Sequence, residues 1–197
     1  MNKSIVYLIC LMVLLFVGVT GCGPQDETRT FPNTRYVESY DGVSVAVPEN
    51  PKRILALSSA SDTILLGLVE PDRLVGINKL STYEEYSLEA KRAKLVKPAM
   101  SSYPLEKIIA LEPDLVIAPD YTSADVIAGL RHMGIPTVVV PTGTTVESVI
   151  KNVTDIAHIV GEDEKGQFYE QKIRRELETM KRLGTSIPLN QRKSVLF

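Results

Sequence analysis

The chain has no tryptophan, two cysteines and two histidines in 197 residues, and its 22 basic and 24 acidic side chains leave a formal net charge of -2. Each scarcity excludes something. Nearly balanced charge without a basic stripe gives no electrostatic footing for nucleic acid. His132 and His158 do not stand at ligand spacing to each other, and a bare zinc or manganese site would show more clustering of histidine with acids, so no metal-ligating set is expected. Both cysteines, Cys10 and Cys22, fall at the amino-terminal end, which leaves the rest without a disulfide framework. There is no GxSxG elbow, no P-loop, no HExxH and no GxGxxG, so no residue is assigned a catalytic role and no resident cofactor is expected.

The one long apolar run, residues 5–19, follows Lys3 and is short for a comfortable bilayer span. It leads into Val19-Thr20-Gly21-Cys22, small residues ending in cysteine that resemble a bacterial lipobox. Residues 1–22 therefore read as a lipoprotein signal peptide, with Cys22 acylated and Cys10 lost with the leader. An uncleaved membrane anchor is the alternative. Residues 23–34, polar and holding Pro24 and Pro32, read as a flexible tether. The expected location is extracytoplasmic, lipid-anchored to the outer face of a bacterial cell membrane.

From residue 35 the chain alternates strand and helix signals, and 44% hydrophobic residues suffice for a core. Residues 35–47 alternate weakly about Asp41-Gly42, a hairpin signal. Residues 53–57 form an apolar strand, and Ser58, Ser59 and Asp62 supply caps, and a natural anion site, for a short helix over 64–68. Residues 72–77 predict a strand, 78–94 a polar connection holding Tyr83 and Tyr86, 95–97 a short strand, and 98–103 a loop. Within residues 104–121, Leu105, Ile108, Ile109 and Leu111 make a helical stripe, Glu112-Pro113-Asp114 stops it, and 115–118 is a strand buried on both faces. A helix over 123–133 closed by Gly134, a strand at 137–140 and an amphipathic helix over 146–160 ended by Gly161 complete the unit. The fold class is α/β, a mostly parallel sheet flanked by helices, preceded by a β-hairpin.

A long helix over 162–184 follows, with Tyr169, Ile173, Leu177 and Met180 in one stripe and Glu170/Arg174 and Glu178/Arg182 as i,i+4 pairs. Gly184 breaks it, and residues 193–197 begin another strand.

Two motifs, residues 50–58 (NPKRILALS) and 105–120 (LEKIIALEPDLVIAPD), resemble the substrate-binding proteins that serve importers of ferric siderophores, haem and cobalamin, over residues 43–182. The resemblance implies the amino-terminal lobe of a two-lobed class III binding protein at 35–161, a bridging helix at 162–184, and the start of a second, truncated lobe at 185–197. It implies a metal-chelate ligand of the iron-siderophore, haem or cobalamin-like kind, and as partners an ABC permease with its ATPase. It implies too that Glu106, early in the LEKI helix, meets arginines on the permease. Aromatic residues that line the family's cobalamin clefts are replaced here by Leu80 and Met100, which speaks against a cobalamin-type pocket. The alternatives are an extracytoplasmic enzyme or a sensor lipoprotein on the same scaffold.

Ligands of open parallel sheets sit beyond the carboxyl ends of the strands. The candidate contacts there are Ser58 and Ser59, Tyr83 and Tyr86, Met100 and Tyr103, and Asp120 and Tyr121. Tyrosine offers a flat face with a polar tip, suited to a chelate or macrocycle.

Overall fold

The computed structural model describes residues 33–188, Gln191 and Lys193; the leader, Cys22, most of the tether and all but the first residue of the strand expected at 193–197 fall outside them. β1 (Thr34–Glu38) and β2 (Ser44–Pro48) pair antiparallel about Asp41-Gly42, so the first strand takes in the last residue assigned to the tether. β3 (Ile54–Ala56) pairs parallel with β6 (Leu115–Pro119), and β6 with β7 (Thr137–Val140). On the other side of β3, a bridge from Ile54 to Leu74 leads to β4 (Ile77–Asn78), which pairs parallel with β5 (Ala99–Met100). The spatial order is β5-β4-β3-β6-β7, and the chain reverses its direction of travel across the sheet between β3 and β6.

Two expectations need correction. The strand read at 72–77 is a 3₁₀ turn over Pro71–Arg73 followed by the bridge and the short β4. Pro71 starts such a turn readily, because its fixed φ suits a helical first position. The strand read at 95–97 lies instead at Ala99–Met100, inside the supposed loop, and the polar connection before it contains a 3₁₀ turn (Lys79–Thr82) and the helix α2 (Ala90–Ala93).

Successive side chains of a strand point to opposite faces, and here both faces are covered. Ile54, Ala56, Leu115, Ile117 and Val138 join one core with Leu65 and Leu68 of α1 (Ser59–Leu68) and Ile156 and Val160 of α5 (Val146–Val160). Leu55, Leu57, Val116 and Ala118 join a second with Ile108 of α3 (Leu105–Ala110) and Leu130 of α4 (Ala124–His132). The motif residues that carry the family resemblance are staples of this frame. Asp114 accepts the backbone N–H of Lys52 at 2.7 Å and of Arg53 at 2.9 Å, while the Arg53 guanidinium donates to the carbonyls of Leu111 and Glu112. That grip holds Glu112 at φ 46, a left-handed conformation unfavourable to a non-glycine residue, where α3 must stop and turn into β6.

Helix α6 (Asp163–Ser186) follows α5 after Gly161, which caps α5 at φ 77. It runs past Gly184, so the expected break comes two residues later, and at ~1.5 Å per residue it is roughly 36 Å long. Of the predicted ion pairs, Glu170 meets Arg174 at 3.0 Å; Glu178 pairs with Lys181 instead, and Arg182 donates to Thr179. The apolar stripe is covered only in part: Tyr169 packs on the core, whereas Met180 is 64% and Leu183 63% exposed. Gly166 sets the crossing with α5, because a Cβ there would lie 2.5 Å from the Ala157 Cβ. Gly166→Val is expected to destabilise the lobe by about 1–3 kcal/mol through this overlap. A chemical denaturation midpoint equal to the wild type would contradict that packing.

Candidate functional site

The loops after the parallel strands leave at the carboxyl end of the sheet, and in open sheets of this kind ligands sit in the crevice at the switch point, here between β3 and β6. Its floor is built around Asp62. The Ser58 side chain accepts the Ser61 N–H at 3.2 Å and so starts α1 immediately after β3. This sets Asp62 in the first turn, 1% exposed. Its Oδ2 accepts the Asn78 N–H at 2.7 Å and the Ser81 hydroxyl at 2.9 Å, which ties the end of β4 and the following 3₁₀ turn to α1. Burial pushes the Asp62 carboxyl up to about 7, against the smaller opposing effect of these two donors. Ser58 is thus engaged in helix initiation, and the Asp62 carboxyl accepts from Asn78 and Ser81 rather than from the N–H groups at the start of α1.

Tyr103 comes from the loop between β5 and α3, with its ring against the second core and its hydroxyl buried. Its phenol is pushed up, first by burial and then by the Asp62 charge, against a smaller opposing effect of a hydrogen bond with the Asn78 side chain, and Tyr121 adds the least. Met100, a candidate contact, is buried at 7% exposure and faces inward, its Sδ lying 3.4 Å from where a Gly76 Cβ would stand. The structure therefore places it in the packing beneath the cleft.

The rim carries the remaining candidates. Tyr83 and Tyr86 meet edge to face, centroids 6.4 Å apart at 69°, and with exposed Leu80 they form an aromatic shoulder beside β4. Tyr121 is 71% exposed at the end of β6. Asp120 next to it accepts the Thr142 hydroxyl at 2.6 Å and the Thr142 N–H at 3.1 Å, so it joins the loops after β6 and β7. The Thr142 hydroxyl, and then its N–H, hold the Asp120 carboxyl below the usual range. Glu106 is exposed in the first turn of α3 and makes no hydrogen bond or ion pair with another described residue. Sequence reasoning missed the linkage of Asp62 to Asn78 and Ser81; the only hint was an acid standing within an otherwise apolar helix face.

Other features are structural. A hollow of about 610 Å³ lies at the far end of α1, where Tyr169, Lys165 and Arg92 donate to the carbonyls of Gly67, Leu68 and Val69 and so satisfy the helix terminus. His158, near the end of α5, meets Asp163 at 2.8 Å. Among the described residues no group of three or more His, Cys, Asp or Glu is placed to hold a metal ion, and no helix is long and apolar enough to cross a membrane.

The chain belongs to the periplasmic binding protein family, whose sequence pattern matches residues 54–197. It is 28% identical over 196 residues to an uncharacterized ABC transporter substrate-binding lipoprotein, YvrC, of Bacillus subtilis, covering 93% of this chain and 60% of that one. It is 31% identical over 134 residues to the vitamin B12-binding protein of Vibrio campbellii, covering 66% of this chain and 46% of that one. The crystal structure of a periplasmic solute binding protein from Veillonella parvula superposes with TM-score 0.67 at 22% identity, over 80% of this chain and 50% of that one. That of the heme binding protein HmuT superposes with TM-score 0.62 at 25% identity, over 81% and 51%. The chain thus spans about half to three fifths of the length of these relatives.

Proposed function

We propose that this chain supplies the ligand-receiving lobe of a lipid-anchored, extracytoplasmic binding component of an ABC importer, taking up an iron-siderophore, haem or cobalamin-like chelate. It delivers that ligand to a membrane permease driven by an ATPase. What supports the reading is the set of tyrosines on the loops at the carboxyl ends of the parallel strands: Tyr83 and Tyr86 pair edge to face, and they and Tyr121 are exposed. Flat amphipathic rings around a polar floor suit a large planar or globular chelate better than a small ion. Family membership supports the reading, as do relatives whose names record vitamin B12 and heme binding. The anchor rests on residues 19–22: acylation of Cys22 adds buried methylenes worth ~0.8 kcal/mol each.

The test of ligand class is calorimetric titration of the purified chain with haemin, ferrichrome and cyanocobalamin. Saturable one-to-one binding of at least one is expected; absence of binding by all three would overturn the reading. For the anchor, Cys22→Ala is expected to move the protein from the membrane fraction to the soluble fraction, and unchanged fractionation would contradict acylation.

A further inference from the structure

The segment from Lys79 to Glu89 carries the aromatic shoulder without a hydrophobic anchor of its own. Leu80, Tyr83, Tyr86 and Leu88 are all exposed, Leu88 completely, and the two buried side chains of the segment are serines, Ser81 and Ser87. Burial of apolar side chains therefore does not hold it, and its position has to come from hydrogen bonds. Ser87 serves locally, accepting the Glu89 N–H at 3.2 Å. The ion pair of Glu84 with Lys94, at 3.3 Å, is exposed on both sides, and such pairs contribute little. The tie that is withdrawn from water runs to Asp62.

Oδ2 of Asp62 accepts the Asn78 N–H at 2.7 Å just before the 3₁₀ turn and the Ser81 hydroxyl at 2.9 Å within it, so one buried oxygen grips the turn at two points. From there bonds pass along the chain to the rings. Asn78 Oδ1 accepts the Leu80 N–H at 2.9 Å, the Leu80 carbonyl accepts the Tyr83 N–H at 3.2 Å, and the Tyr83 carbonyl accepts the N–H groups of Tyr86 and Ser87, each at 3.0 Å. Tyr83 and Tyr86 then meet edge to face. Bonds to a buried carboxyl face no competing water, which lets them set a loop that solvent otherwise surrounds.

We propose that Asp62 is a positioning residue for ligand binding: it fixes the turn at 78–82 so that Tyr83 and Tyr86 stand as one preformed aromatic wall beside the crevice. The proposal rests on the binding-protein reading above. A wall ordered before the ligand arrives spares the cost of ordering two side chains and their loop on binding. Asp62, 1% exposed, acts through the turn and not by touching the ligand.

The experiment compares Ser81→Ala, Asp62→Ala and Asp62→Asn with the wild-type chain by two readouts, the nuclear Overhauser contact between the Tyr83 and Tyr86 rings and the dissociation constant for haemin, a flat conjugated probe. Ser81→Ala deletes one donor and keeps Asp62 bonded to Asn78, so it is expected to fold. Its ring-to-ring contact should weaken and its haemin affinity fall about tenfold, the scale of ordering two side chains. Tyr36 and Tyr169 should keep their wild-type signals. Asp62→Ala should lose at least as much, and Asp62→Asn, which retains an acceptor for both donors, should restore both readouts; if Asp62→Ala does not fold, Ser81→Ala and Asp62→Asn decide. A ring-to-ring contact unchanged in Ser81→Ala overturns the positioning role, and so does haemin affinity within twofold of a wild type that binds it. Failure of the wild type to bind haemin overturns the premise of a flat ligand, and the ring contact alone then decides whether Asp62 sets the wall.

Discussion

Asp62→Asn is expected to make the lobe more stable at pH 8, by roughly 2–4 kcal/mol, while leaving it nearly unchanged at pH 4. The reason is the distance between an ordinary aspartate, near 3.8, and the buried one, at about 7. Each unit of difference is worth about 1.4 kcal/mol, so the full gap of about three units sets an upper bound near 4 kcal/mol. The sign follows from proton counting. Between pH 3.8 and 7 the unfolded chain has released the Asp62 proton while the folded chain still holds it, so the folded state binds more protons and its stability falls as pH rises. Above 7 the loss is complete. Asparagine keeps an acceptor for Asn78 and Ser81 and has no proton to lose, so its contribution is flat across this window. Other carboxylates give wild type and variant the same background; Asp41, held down to about 2 first by the Arg131 hydrogen bond, contributes in the opposite direction in both. Urea unfolding of the two proteins at pH 4, 6 and 8 reads the difference directly. Curves that stay parallel across the range would contradict a buried, unpaired carboxyl. A residue that destabilises the fold it sits in, at the place where the crevice opens, is the pattern expected of a group kept for binding.

Glu106→Arg is expected to reduce uptake by about tenfold or more with ligand affinity unchanged. Glu106 is exposed, stands in the first turn of α3 on the crevice side of the sheet, and has no described partner that it would lose. A carboxylate near a helix start has a local benefit from the helix dipole, and a purely local role would show as a small stability loss with full transport. A docking role differs, because reversing a charge at a complementary rim sets like against like, which costs several kcal/mol and is relieved by salt. Uptake is measured in cells carrying the variant, with ligand affinity determined separately. Normal uptake would sink the docking role, and Glu106→Gln should fall between wild type and Glu106→Arg.

The frame of this lobe was legible because its signals are local and repeat. The unbroken apolar runs at 54–57, 115–118 and 138–140 announce strands covered on both faces, and Gly161 and Pro113 mark stops with a backbone reason. The short strands beside β3 were not legible. Two paired residues each, Ile77–Asn78 and Ala99–Met100, are held by neighbours distant in sequence, and so few residues carry no periodicity. At the site, the exposed tyrosines could be named from their place after strands, but the burial of Met100 and the hydrogen bonds of Asp62 depend on which loops the sheet order brings together. Asp62 and Ser81 are nineteen positions apart and meet only because α1 and the end of β4 share one end of the sheet.

The most direct measurement of the central claim is tyrosine-resolved NMR of the ¹³C-tyrosine-labelled chain during titration with whichever of haemin, ferrichrome or cyanocobalamin binds in the calorimeter. The eight tyrosines give separable probes in a chain without tryptophan. A ligand in the crevice should perturb Tyr83, Tyr86, Tyr103 and Tyr121 and leave Tyr36 on the hairpin and Tyr169 at the far end of α1 unchanged. Perturbation centred on Tyr36 or Tyr169, with the four crevice tyrosines silent, would contradict it.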